Sequence, residues 1–335
     1  MGLALHSTRF LVEAYRSGVR FDKTLTLGQQ YMLLSPRRLE SILRDYRCWP
    51  PPGGELTFRQ ALAESRWRFG VFARALGAQS VTACDASAYE GASLIHDLNL
   101  PIPAEWEQQY DVVIDGGTLE HVFHFPVAIS NCMRLLKPGG HLVLLTPANN
   151  YFGHGFYQFS PELFYRVLAE ENGFRVERML AIEDGLGQSS LFGVKYDFAI
   201  SGRPYAVRDS AVIRRRVTLV NRNPTALYVL ARKTAHVMPF RTLPQQSFFV
   251  EQWQTGAVSG RSQRGWGHRL LQWVHARFSE HFIRENLPRL ALLLDPLRRW
   301  RWRRRNSFRN RDFYESVRPQ TTGSPLAPAA EKEPS

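Results

Sequence analysis

YDVVIDGGTLEHVFHFPVAISNCMRLLKPGGHLVLLTP, residues 110–147, reads as strand, loop, helix, turn and strand. Tyr110 to Asp115 is an apolar strand ending in an acid and two glycines. Phe125 to Leu136 is a helix with Pro126 in its first turn. Lys137-Pro138-Gly139-Gly140 terminates it, and His141 to Thr146 is the next strand. Both strands end in small, acidic or hydroxyl residues, where a parallel sheet presents a ligand. Upstream, Lys23 to Leu27 is a strand ending at Gly28, and Ser35-Pro36 opens a helix through Arg47. Residues 49–54 (WPPPGG) break structure, and a helix spans Thr57 to Leu76. Ser80 to Asp85 and Ser93 to Asp97 are strands. Downstream, Ser160-Pro161 starts a helix to about Glu171. Phe174 to Ile182 and Thr225 to Ala231 are strands, separated by an irregular segment, Glu183 to Pro224. Strands alternating with helices predict an α/β, doubly wound, mostly parallel sheet with helices on both faces.

Composition bounds the chemistry. The net charge of +13 is unevenly placed: residues 1–200 hold 18 lysines and arginines against 21 acids, and residues 201–335 hold 25 against 9. The catalytic part is therefore not basic, which argues against a nucleic-acid substrate and for a small or uncharged one. Cys48, Cys84 and Cys132 lack metal-ligand spacing, and Cys84 and Cys132 read as packed thiols. No signal peptide and no stretch of membrane-spanning length is visible, so the expected location is cytoplasmic. The expected organisation is a helical lead-in (1–20), a nucleotide-binding domain (21–234, with 183–224 as an insertion), a basic, mostly helical extension (235–318) and a disordered tail (319–335).

The strand ends supply the candidate site. Gly28 and Gln29 follow the first strand. Asp85 ends the second, and a carboxylate has two acceptor oxygens to match the vicinal diol of a ribose. Asp97 and Leu98 follow the third, where the acid accepts from an adenine amine. Asp115 and Gly116 follow the fourth, the glycine allowing close backbone approach. The run Asn149 to Phe159 after the fifth strand mixes aromatic rings with amides, a composition suited to a polyhydroxylated or aromatic molecule. His121, His154 and Tyr157 are the candidate proton acceptors. No metal ligand set is expected.

This ordered set, SVTACD, HDLN, YDVVIDGGTLEHV and RLLKPGGHLVLLTP, resembles the class I S-adenosylmethionine-dependent methyltransferases over residues 21–233. The resemblance implies a seven-stranded sheet whose last strand, TALYVLARK, is antiparallel, with S-adenosylmethionine as cofactor. It implies Asp85 at the ribose, Asp97 and Leu98 at the adenine, and the loop of Asp115 and Gly116 beside the methionine moiety and substrate. The departure is the first loop, where Leu27-Gly28-Gln29-Gln30 carries one glycine in place of several. Two readings follow. Either Gln29 or Gln30 bonds the methionine end and the chain methylates a hydroxyl of a sugar or lipid-linked glycan, or the domain is a catalytically silent scaffold. At the other end, Trp266 to Asn286 reads as an amphipathic helix. Residues 298–311 carry eight arginines with Trp300, Trp302 and Phe308 interleaved, a composition for an anionic membrane surface or a solvated tail, and, with no nucleic-acid-binding motif to frame it, less for nucleic-acid contact.

Overall fold

The computed structural model describes residues 2–49, 54–183, 202–255, 296 and 299–317. The chain divides into two compact units, Met1–Val207 with Asn223–Pro244 and Ser316–Ser335, and Arg208–Arg222 with Gln245–Glu315.

The first unit opens with β1 (Gly2–Leu3) and α1 (Leu5–Arg16), then β2 (Lys23–Leu27), β3 (Tyr31–Met32) and α2 (Pro36–Asp45). Ser35 caps α2, its hydroxyl accepting from the Arg38 amide at 3.3 Å, and Pro36 fills the first helical position. Next come α3 (Gly54–Glu64), α4 (Phe69–Ala75), β4 (Ser80–Asp85), β5 (Leu94–Ile95), β6 (Tyr110–Asp115), α5 (Phe125–Leu135) and β7 (Leu136–Asn149). The unit closes with α6 (Pro161–Val167), β8 (Phe174–Glu183), β9 (Pro204–Val207) and β10 (Thr225–Lys233).

These strands follow the order β9-β8-β10-β7-β6-β2-β4-β5. β5, β4, β2, β6 and β7 pair in parallel, and β10 lies antiparallel between β7 and β8. This is the expected sheet with one further strand, β9, at the β8 edge. Strand order reverses between β2 and β6, so the crevice of an open α/β sheet opens between the loops that follow them. Val112, Ile114, Val143 and Leu145 face a core shared with Phe10 and Leu11 of α1, Leu39 and Leu43 of α2, Leu62 of α3 and Phe72 of α4. Val113, Leu142 and Leu144 alternate to the other face and are equally buried, with α5 packed against β6 and β7.

Three expectations change. The helix over Thr57 to Leu76 is broken into α3 and α4, because Arg66 and Trp67 both take left-handed backbone angles (φ 52° and 66°). That break returns the chain to β2: the Phe69 amide donates to Gln30 O at 2.9 Å and the Met32 amide to Trp67 O at 2.7 Å. Residues 31–68 are thus an excursion zipped shut at its neck, and α4 takes up the chain path where Gln30 leaves it. Glu40 of α2, itself buried, pairs with Arg59 of α3 and holds the excursion together. The helix from Pro161 stops at Val167, followed by a short 3-10 turn over Glu170–Asn172 and Gly173 at φ 72°. Within the segment read as irregular, β9 and a short helix, α7 (Ser210–Ile213), are ordered.

Lys137–Gly140 bulges out, since Leu136 pairs with Tyr110 and His141 with Val112. The second unit contains α7, α8 (Ser247–Thr255) and a helical stretch over 299–305. Arg216 lies over the rings of Phe248 and Phe249 (4.4 and 5.1 Å), and Tyr314 is buried, donating to Thr218 O. The amphipathic helix read over 266–286 and the tail from 319 lie outside the described residues. No described helix is long and apolar enough to cross a membrane.

Candidate functional site

The crevice at the strand-order reversal is bounded by the turn after β2 and the loop after β6. Gly28 turns the chain with φ 68°, and its amide donates to Cys84 O at 2.7 Å. Gln30 is fully buried, and its side-chain amide donates to Leu27 O at 2.8 Å. Thr118 Oγ1 donates to the same carbonyl at 3.0 Å. The Gln30 Oε1 accepts no bond and sits against Gly116, where a Cβ would lie 2.5 Å from it. Glutamine therefore occupies the space beside Gly116 that a glycine in its place would leave open. Gln29 is also buried, its side-chain amide near Gln30 O at 3.3 Å.

The other cofactor candidates fall along the same sheet edge. Asp85 ends β4 half-buried, and its carboxylate accepts one long bond, from the Ser87 amide at 3.4 Å. Asp97 is exposed. Its Oδ1 accepts from the Asn99 backbone and side-chain amides (2.9 and 2.8 Å), which hold its carboxyl below the usual range. Leu98 is buried, and Asn131 of α5 fixes the loop around it. The Asn131 side-chain amide donates to Leu100 O at 2.8 Å and its carbonyl accepts from the Ile102 amide at 3.0 Å. Asp115 turns inward, fully buried, and its Oδ1 accepts from the amides of Thr118, Gly117 and Leu119 (2.7, 3.3 and 3.4 Å). Its carboxylate shapes the loop, and Gly116 is the part of the pair that faces the Gln30 amide.

The loop after β6 continues into a 3-10 turn, Leu119–His121, which carries the second half of the site. Glu120 is buried there, and its main-chain carbonyl accepts from the Phe156 and Tyr157 amides (2.8 and 3.2 Å). Gly155 permits this approach, since a Cβ on it would lie 2.8 Å from that carbonyl. Tyr157 donates its hydroxyl to Phe123 O at 2.6 Å. These bonds stitch the Asn149–Phe159 loop onto the turn and set His154 over it. His154 Nε2 lies 3.6 Å from Glu120 Oε1, and the His154 and His121 rings are 5.4 Å apart. Burial and the neighbouring Asp115 charge push the Glu120 carboxyl up, and burial and His154 push His121 down. Phe123, Phe152 and Phe156 project exposed rings around this cluster.

The structure therefore brings His121 and His154 together with Glu120. It gives the Tyr157 hydroxyl to a main-chain carbonyl and the Asp115 carboxylate to its own loop. Sequence reading placed Gln30 at the methionine end and Glu120 in the pocket lining beside His121, without seeing Gln30 as a wall of the crevice or Glu120 as the buried centre of the histidine pair, and it missed Asn131 as the brace of the Leu98 loop. The signal for Glu120 was its place beside His121; none existed for Asn131. Two concavities lie away from this edge, one against α1 and β8 (Glu13, Arg178), another at the opposite end of β2 (Phe21, Asp22, Gly77).

The methyltransferase-domain family matches this chain over residues 69–144, from α4 into β7. Over those residues the chain is similar to the methyltransferase-domain family. The match begins past Gly28, so it leaves the single-glycine turn outside and takes in Asp85, Asp97 and the loop of Asp115 and Gly116. None of the curated proteins matches the sequence. Among solved structures, the chain is similar to the trans-methyltransferase CalH in complex with SAH (14% identity, 67% of this chain, 55% of that one, TM-score 0.33). It is similar to a branched-chain polyamine synthase from Thermus thermophilus (13%, 72% and 61%, TM-score 0.33). It is also similar to a SAM dependent methyltransferase from Aquifex aeolicus (12%, 67% and 88%, TM-score 0.29). The chain spans little more than half the length of the first two.

The chemistry of the strand ends suits a nucleoside: the Asp85 carboxylate, with one long hydrogen bond, has acceptor oxygens to spare for a vicinal diol, and the braced Leu98 loop offers an apolar wall for a base. At the methionine end the fit differs, with the buried Gln30 carbonyl and the turn at Gly28 standing in for a run of glycines.

Proposed function

We propose that this protein methylates a hydroxyl oxygen of a small polar acceptor, a sugar or lipid-linked glycan, using S-adenosylmethionine. The observation that carries the proposal is the shared edge: Asp85, the Leu98 loop, the Gly28 and Gly116 turns and the Glu120–His121–His154 cluster all follow the carboxyl ends of β2, β4, β5, β6 and β7. When bound, the cofactor supplies a sulfonium methyl group, whose carbon–sulfur bond breaks with its electrons going to sulfur as the acceptor oxygen bonds the methyl. Asp85 holds the ribose hydroxyls, and the Leu98 loop borders the adenine. Gln29 and Gln30 present amides to the methionine end. The Asn149–Phe159 loop orients the acceptor, rings against its apolar faces and amides toward its hydroxyls. The Glu120–His121–His154 cluster takes the hydroxyl proton, the role imidazole suits near neutral pH. The test is incubation with the cofactor carrying a labelled methyl group and a panel of sugars and glycans, read by mass spectrometry. A labelled methyl ether supports the proposal. Label on nitrogen or carbon, or on nothing, rejects it.

One observation favours the silent-scaffold reading, the Gln30 side chain lying in the crevice; the loose engagement of Asp85 argues for retention. We also propose an anionic lipid surface as partner of the basic segment. Trp300 and Trp302 are exposed among Arg301, Arg303, Arg304 and Arg305. Deleting residues 290–335 then abolishes pelleting with anionic liposomes, and equal pelleting of both forms rejects the partner.

A further inference from the structure

We infer that Glu120, His121 and His154 form a binding site for a first-row divalent cation, which holds the acceptor oxygen. The inference rests on the proposed methylation of a hydroxyl and specifies how the cluster acts in it. One oxygen or ring nitrogen from each of the three residues lies within 4.8 Å of the others. Ligands about 2.0–2.2 Å from a zinc-like ion sit roughly 3–3.5 Å from one another, so no pair in the cluster need close by more than about 1.3–1.8 Å. Both imidazoles are exposed and reach that by side-chain rotation, while Glu120 is fixed in its 3-10 turn.

Charge balance gives the second argument. Glu120 and Asp115 are buried carboxyls, and among the described residues no lysine or arginine pairs with either; the sole cationic candidate at Glu120 is His154, at 3.6 Å. Glu120 Oε2 and Asp115 Oδ2 are enclosed and accept no hydrogen bond. Buried carboxyls are ordinarily paired, protonated or bound to metal, and among the described residues no lysine or arginine pairs with these two. A cation beside Glu120 would engage the enclosed carboxyl oxygen that no hydrogen bond satisfies. Backbone order supplies the third argument. Gly155 lets the Asn149–Phe159 loop close on the Glu120 carbonyl, and two amides fix it there, so His154 is delivered to the turn carrying the other two ligands.

Two imidazoles and one carboxylate suit zinc, manganese, iron or cobalt in the divalent state, and three protein ligands leave positions open. An acceptor hydroxyl in an open position would be acidified by the cation, and, the imidazoles then being ligands rather than the proton acceptors of the ion-free cluster, its proton would pass to solvent water at the exposed rim.

The test uses the full chain after chelator treatment. Co²⁺ is titrated by visible absorption, and Zn²⁺ and Mn²⁺ by calorimetry, on the unaltered protein and on His121→Ala, His154→Ala and Glu120→Gln. S-adenosylhomocysteine affinity is measured on every form, with and without metal. The expected result is one cation per chain, with a Co²⁺ ligand-field spectrum. Each histidine variant should bind the ion at least tenfold more weakly while its S-adenosylhomocysteine affinity stays within about twofold. Glu120→Gln removes a buried group and can fail to fold; the exposed His121 and His154 decide the matter without it. No Co²⁺ spectrum, or metal affinity indifferent to both histidine changes, overturns the inference. Loss of S-adenosylhomocysteine binding in the unaltered protein, with metal binding intact, rejects the methyl-transfer reading and leaves the metal site standing.

Discussion

Gly116→Ala probes the wall of the crevice directly. The added Cβ would lie 2.5 Å from Gln30 Oε1, 2.8 Å from its Cδ and 3.1 Å from its Nε2. The first two are closer than non-bonded atoms approach, so one side must yield. The Gln30 amide cannot withdraw into solvent, because the residue is fully buried and bonded to Leu27 O. Displacing it forfeits that bond, about 1 kcal/mol, and overpacks the crevice, about 1–3 kcal/mol. The backbone at Gly116 is not left-handed, so alanine itself adds no strain and gains a few tenths of a kcal/mol from the unfolded chain. The net cost is about 2–3 kcal/mol. Gln30→Ala alone is mild, since it removes one hydrogen bond together with a buried carbonyl that accepts none. In that background Gly116→Ala should cost less than about 0.5 kcal/mol, leaving a coupling near 2 kcal/mol. Urea unfolding of the four proteins, compared at common slope, measures it. A Gly116→Ala protein as stable as the parent, or an equal cost in both backgrounds, refutes the placement of Gln30 in the crevice.

Two further outcomes are expected. Gly155→Ala drives a Cβ to 2.8 Å from the Glu120 carbonyl, a main-chain atom that cannot rotate away; it should lower stability by about 1–3 kcal/mol, and an unchanged melting temperature contradicts the stitching of the two loops. Lys233, 2% exposed, donates to Met133 O and Leu136 O (2.9 and 2.8 Å), and burial lowers its pKa to about 8 from 10.5. A depressed folded pKa means the unfolded chain binds the extra proton between those values, so stability contributed by Lys233 rises as pH goes from about 8 toward 10.5. The stability of the parent relative to Lys233→Met should therefore increase over that window, and a flat or falling difference between the two refutes the buried-lysine account.

The sheet was legible because its parallel strands are continuous apolar runs, such as Leu142 to Leu145, and because Ser35-Pro36 and Ser160-Pro161 mark helix starts by cap chemistry. The break between α3 and α4 was not. Arg66 and Trp67 take left-handed angles that no glycine or proline announces, held by contacts to the distant residues Gln30 and Met32. Strand ends located Asp85, Asp97 and Gly116 by position. They could not show that the Asp115 carboxylate is spent on its own loop, or that Gln30 reaches Gly116, since both depend on side chains turning toward partners the local pattern does not reveal. His154 was placed near the site by following β7, and its meeting with Glu120 needed the hydrogen bonds around Gly155.

The central claim is that this crevice, with Gln30 in the wall, still holds the methyltransferase cofactor. Calorimetric titration of the full chain with S-adenosylhomocysteine tests it most directly. The account predicts saturable one-to-one binding, weakened at least tenfold in Asp85→Ala because two hydrogen bonds to a charged carboxylate, each about 1.5–3 kcal/mol, are lost. No heat at millimolar ligand, or affinity indifferent to Asp85, contradicts it.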